Sequence, residues 1–253
     1  MEKIEGNTKG NIKVGHLGGD RNTELNQMLL AKYKEQTGLT NIYSNTPLSN
    51  FINVYAKNNN ININVHTPAE LVRDWKTMPN GNNFYFDSCG VAVYPNKGLN
   101  EQHRKRVLNI LKLNKSKFDK KDMPILVEGL DVIKDTDGFA FETSNYVKFT
   151  EAPFLQKNGF VKYDEVEEKL VSADKGTRIW TPCGKLGIHG VYRGRSGVLN
   201  AGGVNLSNGN SSGRVPVWQD TECLDEKIAG LSPEHLEKIE KQWEEYYKTL
   251  IGK

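Results

Sequence analysis

The sequence predicts an α+β fold, because helix signals and strand signals alternate along its 253 residues. Thr67-Pro68-Ala69-Glu70 combines a helix N-cap, a proline at the first helical position and a glutamate that completes a capping box. Ile61-Asn62-Ile63-Asn64-Val65 alternates apolar and polar residues with the period of a half-buried strand. A chain of this length buries enough surface to fold without disulfide bonds.

The first half is predicted to contain three helices and several strands. Asn22 or Thr23 caps a helix that continues to about Glu35 and is closed by Gly38. Its apolar side consists of Leu25, Met28, Leu29, Ala31 and Tyr33. Further helices are expected from Pro68 to about Lys76 and over residues 101–113. Strands are expected at residues 84–86, 91–94, 124–127 and 139–141, with a lysine-rich loop at 115–122.

The second half is predicted to consist of short strands followed by one helix. Strands are expected at residues 160–163 and 178–180 and within the glycine-rich segment that follows. Ser232-Pro233 begins a final helix whose Leu236, Ile239, Trp243 and Leu250 recur at helical spacing. We expect three regions: a mixed α/β region at 1–145, a second region at 146–220, and an acidic tail with the helix at 221–253. The boundary near 143–150 leaves open whether the first region belongs to the same fold as the second.

Composition argues against several classes of protein. Cys89, Cys183 and Cys223 are odd in number and outside any CxxC pair, which indicates neither a disulfide framework nor a zinc knuckle. The five histidines occur singly, so we expect no metal site and no cofactor. The chain starts without a secretory signal and lacks a run long enough to span a membrane, which favours a cytoplasmic location. Surface display by another route stays open.

Three stretches carry weak signals for chemistry, and each has a simpler structural interpretation. Residues 16–20 lack the lysine and the spacing of a phosphate loop, so we expect a flexible segment before the first helix. Residues 131–138 miss the later glutamate of a calcium loop and are expected to form a turn. Cys183 and His189 are close in sequence, but a buried or idle thiol is the favoured interpretation.

Charge is distributed unevenly near the C-terminus. Every formal charge between Lys175 and Gln219 is positive, whereas acids outnumber bases from Asp220 to Glu245. The two segments either neutralise each other within one fold or leave a basic face for a ligand. Arg193 and Arg195 would share that face if both lie on a strand, whereas in a loop they would be free to diverge.

The segment from 187 to 217 is rich in glycine, serine and asparagine. Apolar residues that include Val191, Leu199, Leu206, Val215 and Val217 recur between small polar ones. This pattern favours short strands and turns that are attached to a core from one side, with the small polar residues facing solvent or a partner.

The run from Arg178 to Pro182, then Gly187 to Arg193, Leu199, Leu206 and Gly213 to Val217, resembles the variable region of proteins diversified by retroelements. In that family a reverse transcriptase copies a template with errors at adenines, and the altered copy replaces part of the target gene. The resemblance implies a C-type-lectin-like scaffold, similar to that of formylglycine-generating enzymes. It also implies a ligand-binding surface of variable residues on a fixed framework.

The resemblance divides the segment residue by residue. The implied variable positions are Tyr192, Gly194, Ser196, Asn200, Gly202, Gly203, Asn205, Ser207, Asn208, Asn210, Ser211 and Ser212. Arg195 joins this surface, and it and Tyr192 are the candidate anchors because arginine and aromatic residues dominate contact energies. The implied framework positions are Trp180, Gly190, Val191, Arg193, Leu199, Leu206, Gly213, Arg214, Val215 and Val217.

We therefore expect a ligand-binding display protein rather than an enzyme, with a protein or glycan as its partner. One alternative is nucleic-acid or other anion binding through the basic segment 175–219, which added salt would weaken strongly. A second alternative is an enzyme related by fold to formylglycine-generating enzymes. That chemistry needs a reactive cysteine pair, for which Cys183 and Cys223 are the nearest candidates.

Overall fold

The computed structural model describes most of the chain between residues 6 and 220. The described residues are 6–9, 12–17, 24–40, 43–78, 83–94, 123–136, 138–182, 187–203, 206–207 and 209–220. The helices expected at 101–113 and from Ser232, the loop at 115–122 and the tail at 221–253 lie outside them. The same holds for Cys183, Lys185, Asn205, Asn208 and Cys223.

The described residues form three α-helices, two 3₁₀ turns and twelve strands. The helices are α1 (Glu24–Thr37), α2 (Thr46–Asn58) and α3 (Pro68–Arg73), and the 3₁₀ turns are Trp75–Thr77 and Pro153–Leu155. The first six strands are β1 (Gly6–Lys9), β2 (Ile12–Leu17), β3 (Asn64–Val65), β4 (Tyr85–Tyr94), β5 (Ile125–Asp135) and β6 (Gly138–Glu151). The last six are β7 (Gly159–Asp164), β8 (Lys169–Ala173), β9 (Thr177–Trp180), β10 (Gly187–Arg193), β11 (Leu199–Gly203) and β12 (Gly213–Asp220).

All twelve strands belong to one mixed sheet. Its main path runs β1-β2-β12-β4-β10-β11-β9-β7-β8, while β3 pairs with β12 and β5 pairs with β4 and β6. Two pairs are parallel, β4 with β12 and β9 with β11, and the other described pairs are antiparallel. A mixed sheet with few helices agrees with the predicted α+β class.

The sheet crosses the domain boundary that the sequence suggested. Residues 143–150 lie inside β6, which pairs with β5 along most of its length. Strand β12, from the second region, pairs with β2, β3 and β4 of the first. The described parts of regions 1–145 and 146–220 therefore share one sheet.

Apolar residues of β4 and β5 alternate between two cores on opposite faces of the sheet. Val91, Val93 and Val127 contribute to a core with Leu29 and Phe51 of α1 and α2. On the other face a second core contains residues of α3, the strands β7–β11 and the turn after β6; its members include Ala69, Ala92, Leu126, Phe154, Val161, Leu199 and Ala201. This two-sided burial explains why β4 is apolar along most of its length.

Several predicted elements are confirmed. Helix α1 ends at Thr37, where Gly38 has a φ of 73° and donates its N–H to Lys34 O at 2.9 Å. Helix α3 has the capping box that Thr67 and Glu70 predicted. The strands expected near 124–127, 139–141, 160–163 and 178–180 correspond to β5, β6, β7 and β9.

Other predictions were wrong in their extent. The two strands expected at 84–86 and 91–94 are one strand, β4, and the strand expected over 61–65 pairs only at Asn64–Val65. Two residues of the predicted apolar side of α1 face solvent: Met28 is 39% exposed and Ala31 is exposed. The buried side of the helix contains Leu29 and Tyr33. The turn expected at 131–138 is narrower, since β5 continues through Asp135. His16 and Leu17 belong to β2 and are buried, rather than forming a flexible segment.

Helix α2 was not predicted, because its segment is rich in asparagine. Asn45 is the N-cap, and its side chain accepts the N–H of Leu48 at 2.8 Å. Asn50 donates from its side chain to Thr46 O at 2.9 Å, one turn earlier. Asparagines that usually favour turns thus satisfy backbone groups within this helix.

Candidate functional site

The glycine-rich segment lies in the middle of the sheet. Strand β10 pairs with β4 on one side and β11 on the other, and β12 pairs with the opposite edge of β4. The register sets Tyr192 opposite Asp87 and Gly213 opposite Tyr85. Residues of β4 and of the glycine-rich segment that are far apart in sequence therefore lie side by side.

A pocket of about 350 Å³ lies where these strands meet the N-terminus of α2. Its lining includes Tyr192, Gly203 and Asn210 of the predicted variable set, together with Gly190 and Leu206 of the predicted framework. Three more lining residues come from the first half of the chain: Thr46, Tyr85 and Asp87. These three residues were not predicted, because no local sequence pattern links them to residues 187–217.

Two tyrosines form one part of the pocket wall. The rings of Tyr85 and Tyr192 have centroids 6.0 Å apart and an interplanar angle of 70°, an edge-to-face arrangement. The hydroxyl of Tyr85 accepts the N–H of Asn210 at 3.0 Å, which fixes the turn before β12 to β4. Burial raises the pKa of both tyrosines, so their hydroxyls are neutral hydrogen-bonding groups at physiological pH.

Asp87 places a buried carboxyl group in the same pocket. Asp87 is 6% exposed, and Ser44 Oγ donates to Asp87 Oδ2 at 2.7 Å. Burial raises the pKa of Asp87 to about 7, against the smaller opposing effect of the Ser44 hydrogen bond. Ser49 Oγ donates to the backbone oxygen of Asp87 at 2.9 Å and holds this part of β4 against α2. Among the described residues, no lysine or arginine forms an ion pair with Asp87.

The N-terminus of α2 reaches the pocket with its backbone donors already used. Thr46 N donates to Leu206 O at 3.2 Å, and Leu48 N donates to Asn45 Oδ1 at 2.8 Å. Ser49 N donates to Asn45 O at 3.0 Å, and Pro47 has no N–H. This helix end therefore offers no free amide to an anion.

Most of the predicted framework is buried. Gly190, Val191, Arg193, Leu199, Gly213, Val215 and Val217 are buried, and Leu206 and Arg214 are half-buried. Trp180, also assigned to the framework, differs from these residues because it is 46% exposed. Its ring covers Gly202, where an added Cβ would collide with the ring. Gly202, predicted to be variable, is consequently restricted to a small residue unless Trp180 moves.

The predicted variable residues differ in exposure. Arg195, Ser196, Asn210 and Ser211 are exposed, while Tyr192, Gly194, Asn200, Gly202, Gly203, Ser207 and Ser212 are half-buried. The side chain of Arg195 donates to Ser212 Oγ, which joins the turn after β10 to the turn before β12. The outward residues thus gather in turns, whereas the strands between them are central to the sheet.

The arginines of the basic segment do not form one charged face. Arg193 is buried over the ring of Trp75, 4.1 Å from its centroid, and burial lowers its pKa to about 10. Arg214 lies 4.0 Å over the ring of Phe84 and donates to Ser211 O at 2.7 Å. Arg193 and Arg195 do not lie on one strand, because β10 ends at Arg193 and Arg195 lies in the following turn, where the two side chains are free to diverge. In the described part of the segment, the exposed cations are Lys175, Arg178 and Arg195.

A second pocket, of about 420 Å³, lies between α2, α3 and the β5–β6 hairpin. It contains Glu128, whose pKa burial raises to about 7 against the charge of Lys148. Arg73 of the pocket lining donates to Asp74. Burial of Asp74 favours a higher pKa, but the hydrogen bonds from Arg73 and His66 outweigh this effect and hold its pKa at about 2. The buried thiol of Cys89 also lines this pocket, and burial raises its pKa.

The described residues contain no cluster of three or more His, Cys, Asp or Glu that could hold a metal ion. His189 is buried with its ring edge-to-face on Tyr94 at 5.1 Å, a packing role within β10. The cysteine pair that an enzyme related to formylglycine-generating enzymes would need lies outside the described residues.

Within the described ranges, none of the helices combines the length and apolar character needed to cross a membrane.

Comparisons with known proteins identified no relative of this chain. Neither protein-family models, nor curated proteins, nor solved structures gave a match to the chain.

Proposed function

We propose that the chain is a ligand-binding display protein whose recognition surface is centred on the pocket between Tyr85 and Tyr192. One observation carries this proposal: Tyr192, Gly203 and Asn210, all predicted to be variable, line one pocket with an aromatic ring and a buried carboxyl group of β4. The turns that hold Arg195 and Ser211 extend the same surface. The partner is a protein or a glycan.

The chemistry of this surface supports recognition rather than catalysis. Tyrosine supplies a large contact area with little loss of conformational entropy, and serine and asparagine supply adaptable hydrogen bonds, as in antibody binding loops. The turns rest on strands at the centre of the sheet, so residues in them can change without loss of the core. We propose that this sheet with its helices is the lectin-like scaffold that the resemblance implies, and that the turns are diversified by a retroelement.

The test is a binding screen of the purified chain against a glycan array and a random peptide library. Tyr192→Ala should weaken any binder found by about tenfold or more, as expected for an aromatic anchor. Tyr146→Ala is the matched control, because Tyr146 is a 38% exposed tyrosine on β6, away from this pocket. Binders that tolerate both Tyr192→Ala and Asn210→Ala would place recognition elsewhere on the molecule.

A further inference from the structure

We infer that the pocket between Tyr85 and Tyr192 receives a positively charged side chain, an arginine or a lysine, presented by a protein partner. This inference rests on the proposed function and specifies the ligand chemistry of the same site. It follows from the carboxyl group in the pocket, from the donors around it and from the two aromatic rings.

Within the described part of the chain, the carboxyl group of Asp87 has no partner of opposite charge. Ser44 Oγ bonds to Oδ2, and the described residues supply no hydrogen-bond donor to Oδ1. Of the eight described residues that line the pocket, Asp87 is the acid and none is a cation. A buried carboxylate is costly unless it is paired, so a bound ammonium or guanidinium group would supply what the fold leaves out.

The surroundings disfavour an anionic ligand. The first amides of α2 are occupied by Leu206 and Asn45, so the helix end cannot donate to a phosphate or a carboxylate. A negative ligand would also lie next to Asp87. Arg195 is the cation whose charge reaches Tyr85, but it is exposed and bonded to Ser212, so solvent screens it.

The tyrosine rings suit a cation. A guanidinium or ammonium group near an aromatic face is attracted by the ring electrons, and the attraction grows when water is excluded. The same fold already stacks two guanidinium groups on rings, Arg193 on Trp75 at 4.1 Å and Arg214 on Phe84 at 4.0 Å. A neutral sugar would bond to the carboxyl group through its hydroxyls but would leave its charge unbalanced.

The experiment compares two probes of the same shape and different charge. Nα-acetyl-arginine amide and Nα-acetyl-citrulline amide are titrated into the full chain at pH 8 by NMR, with methyl α-mannopyranoside as the sugar probe. We expect the arginine probe to bind about tenfold or more tightly than the citrulline probe, as a charge-assisted hydrogen bond requires. Asp87→Asn should reduce this ratio to about twofold or less, since it removes the charge and keeps the shape.

Two further variants make the outcome decisive. Asp174→Asn makes the same chemical change in the exposed bend between β8 and β9 and should retain the wild-type ratio. Tyr192→Leu keeps the carboxyl group and should lower the affinity of the arginine probe more than that of the citrulline probe. Thermal unfolding checks that each variant is folded.

The outcomes separate this inference from the proposed function. Equal affinities for the arginine and citrulline probes, or binding of the sugar probe alone in the pocket, would overturn the cationic ligand while leaving a binding surface in place. An arginine preference that Asp87→Asn does not change would overturn it as well. If no probe binds and the library screen yields no binder, both the inference and the proposed function fail.

Discussion

Replacing Asp87 by asparagine should stabilise the chain, and the stabilisation should grow as pH rises. Burial raises the pKa of Asp87 from 3.8 to about 7, so the folded state favours the protonated acid. Asparagine resembles that acid in shape and can still bond to Ser44. Between pH 4 and 7 the folded wild-type chain holds a proton at this site that the unfolded chain has released, so the group lowers stability as pH rises.

The size of the effect follows from the two pKa values. One pKa unit corresponds to about 1.36 kcal/mol, so the shift of Asp87 amounts to about 4 kcal/mol once both states are ionised. Integrating over pH, the free energy of unfolding of the variant should exceed that of wild type by about 2 kcal/mol at pH 5 and about 4 kcal/mol at pH 8. Other titrating groups are common to both chains and cancel in this difference.

Urea unfolding at pH 5, 6, 7 and 8, followed by circular dichroism and extrapolated linearly to water, measures this difference. Asp174→Asn serves as the control and should give a difference near zero at every pH, because Asp174 is exposed. A difference for Asp87→Asn that is constant from pH 5 to 8, or that shrinks as pH rises, would refute the argument. It would mean that Asp87 is paired or hydrated in the folded state.

Two further predictions concern the glycine-rich segment. Leu199→Ala should lower the free energy of unfolding by roughly 2–5 kcal/mol, whereas Leu206→Ala should cost only about 1–2 kcal/mol, because Leu199 is fully buried and Leu206 is half-buried at the pocket. The same urea titrations measure both free energies of unfolding. Equal decreases for the two variants would contradict the difference in burial between Leu199 and Leu206. In natural populations of the gene, sequencing should find changes concentrated at Tyr192, Asn210 and Ser211 while Gly190 and Gly213 stay constant. Variation spread evenly over the segment would argue against a diversified surface.

Local sequence signals predicted the elements whose stability is local. The Thr67–Glu70 capping box and the glycine after α1 act within one turn of helix, so the residues alone identify them. Helix α2 could not be identified from local signals, because its asparagines at 45, 50 and 59 hydrogen-bond to the backbone of the helix itself. An asparagine-rich sequence is compatible with a loop and with such a helix. Burial of Phe51 and Ile52 against the rest of the fold favours the helix.

The pocket depends on contacts that local patterns do not contain. Tyr192 meets Asp87 only because β10 pairs antiparallel with β4, more than one hundred residues earlier in the chain. The charge pattern left open whether the arginines of the basic segment form one face, because their ring partners are also distant in sequence. Trp75 covers Arg193, which is buried, and Phe84 covers Arg214, which is half-buried.

Several glycines of the glycine-rich segment are required by close packing, a reason that is independent of ligand binding. A Cβ at Gly213 would lie 2.6 Å from Tyr85 Oη, one at Gly209 would lie 2.5 Å from Ser44 O, and one at Gly190 would collide with Thr46. Each of these three contacts joins the segment to β4 or to the residues around the start of α2, and the contact between Gly190 and Thr46 lies in the pocket lining. Glycine composition alone therefore does not mark a variable position. The residues free to change are those in the turns, such as Ser196 and Ser211, whose side chains are exposed.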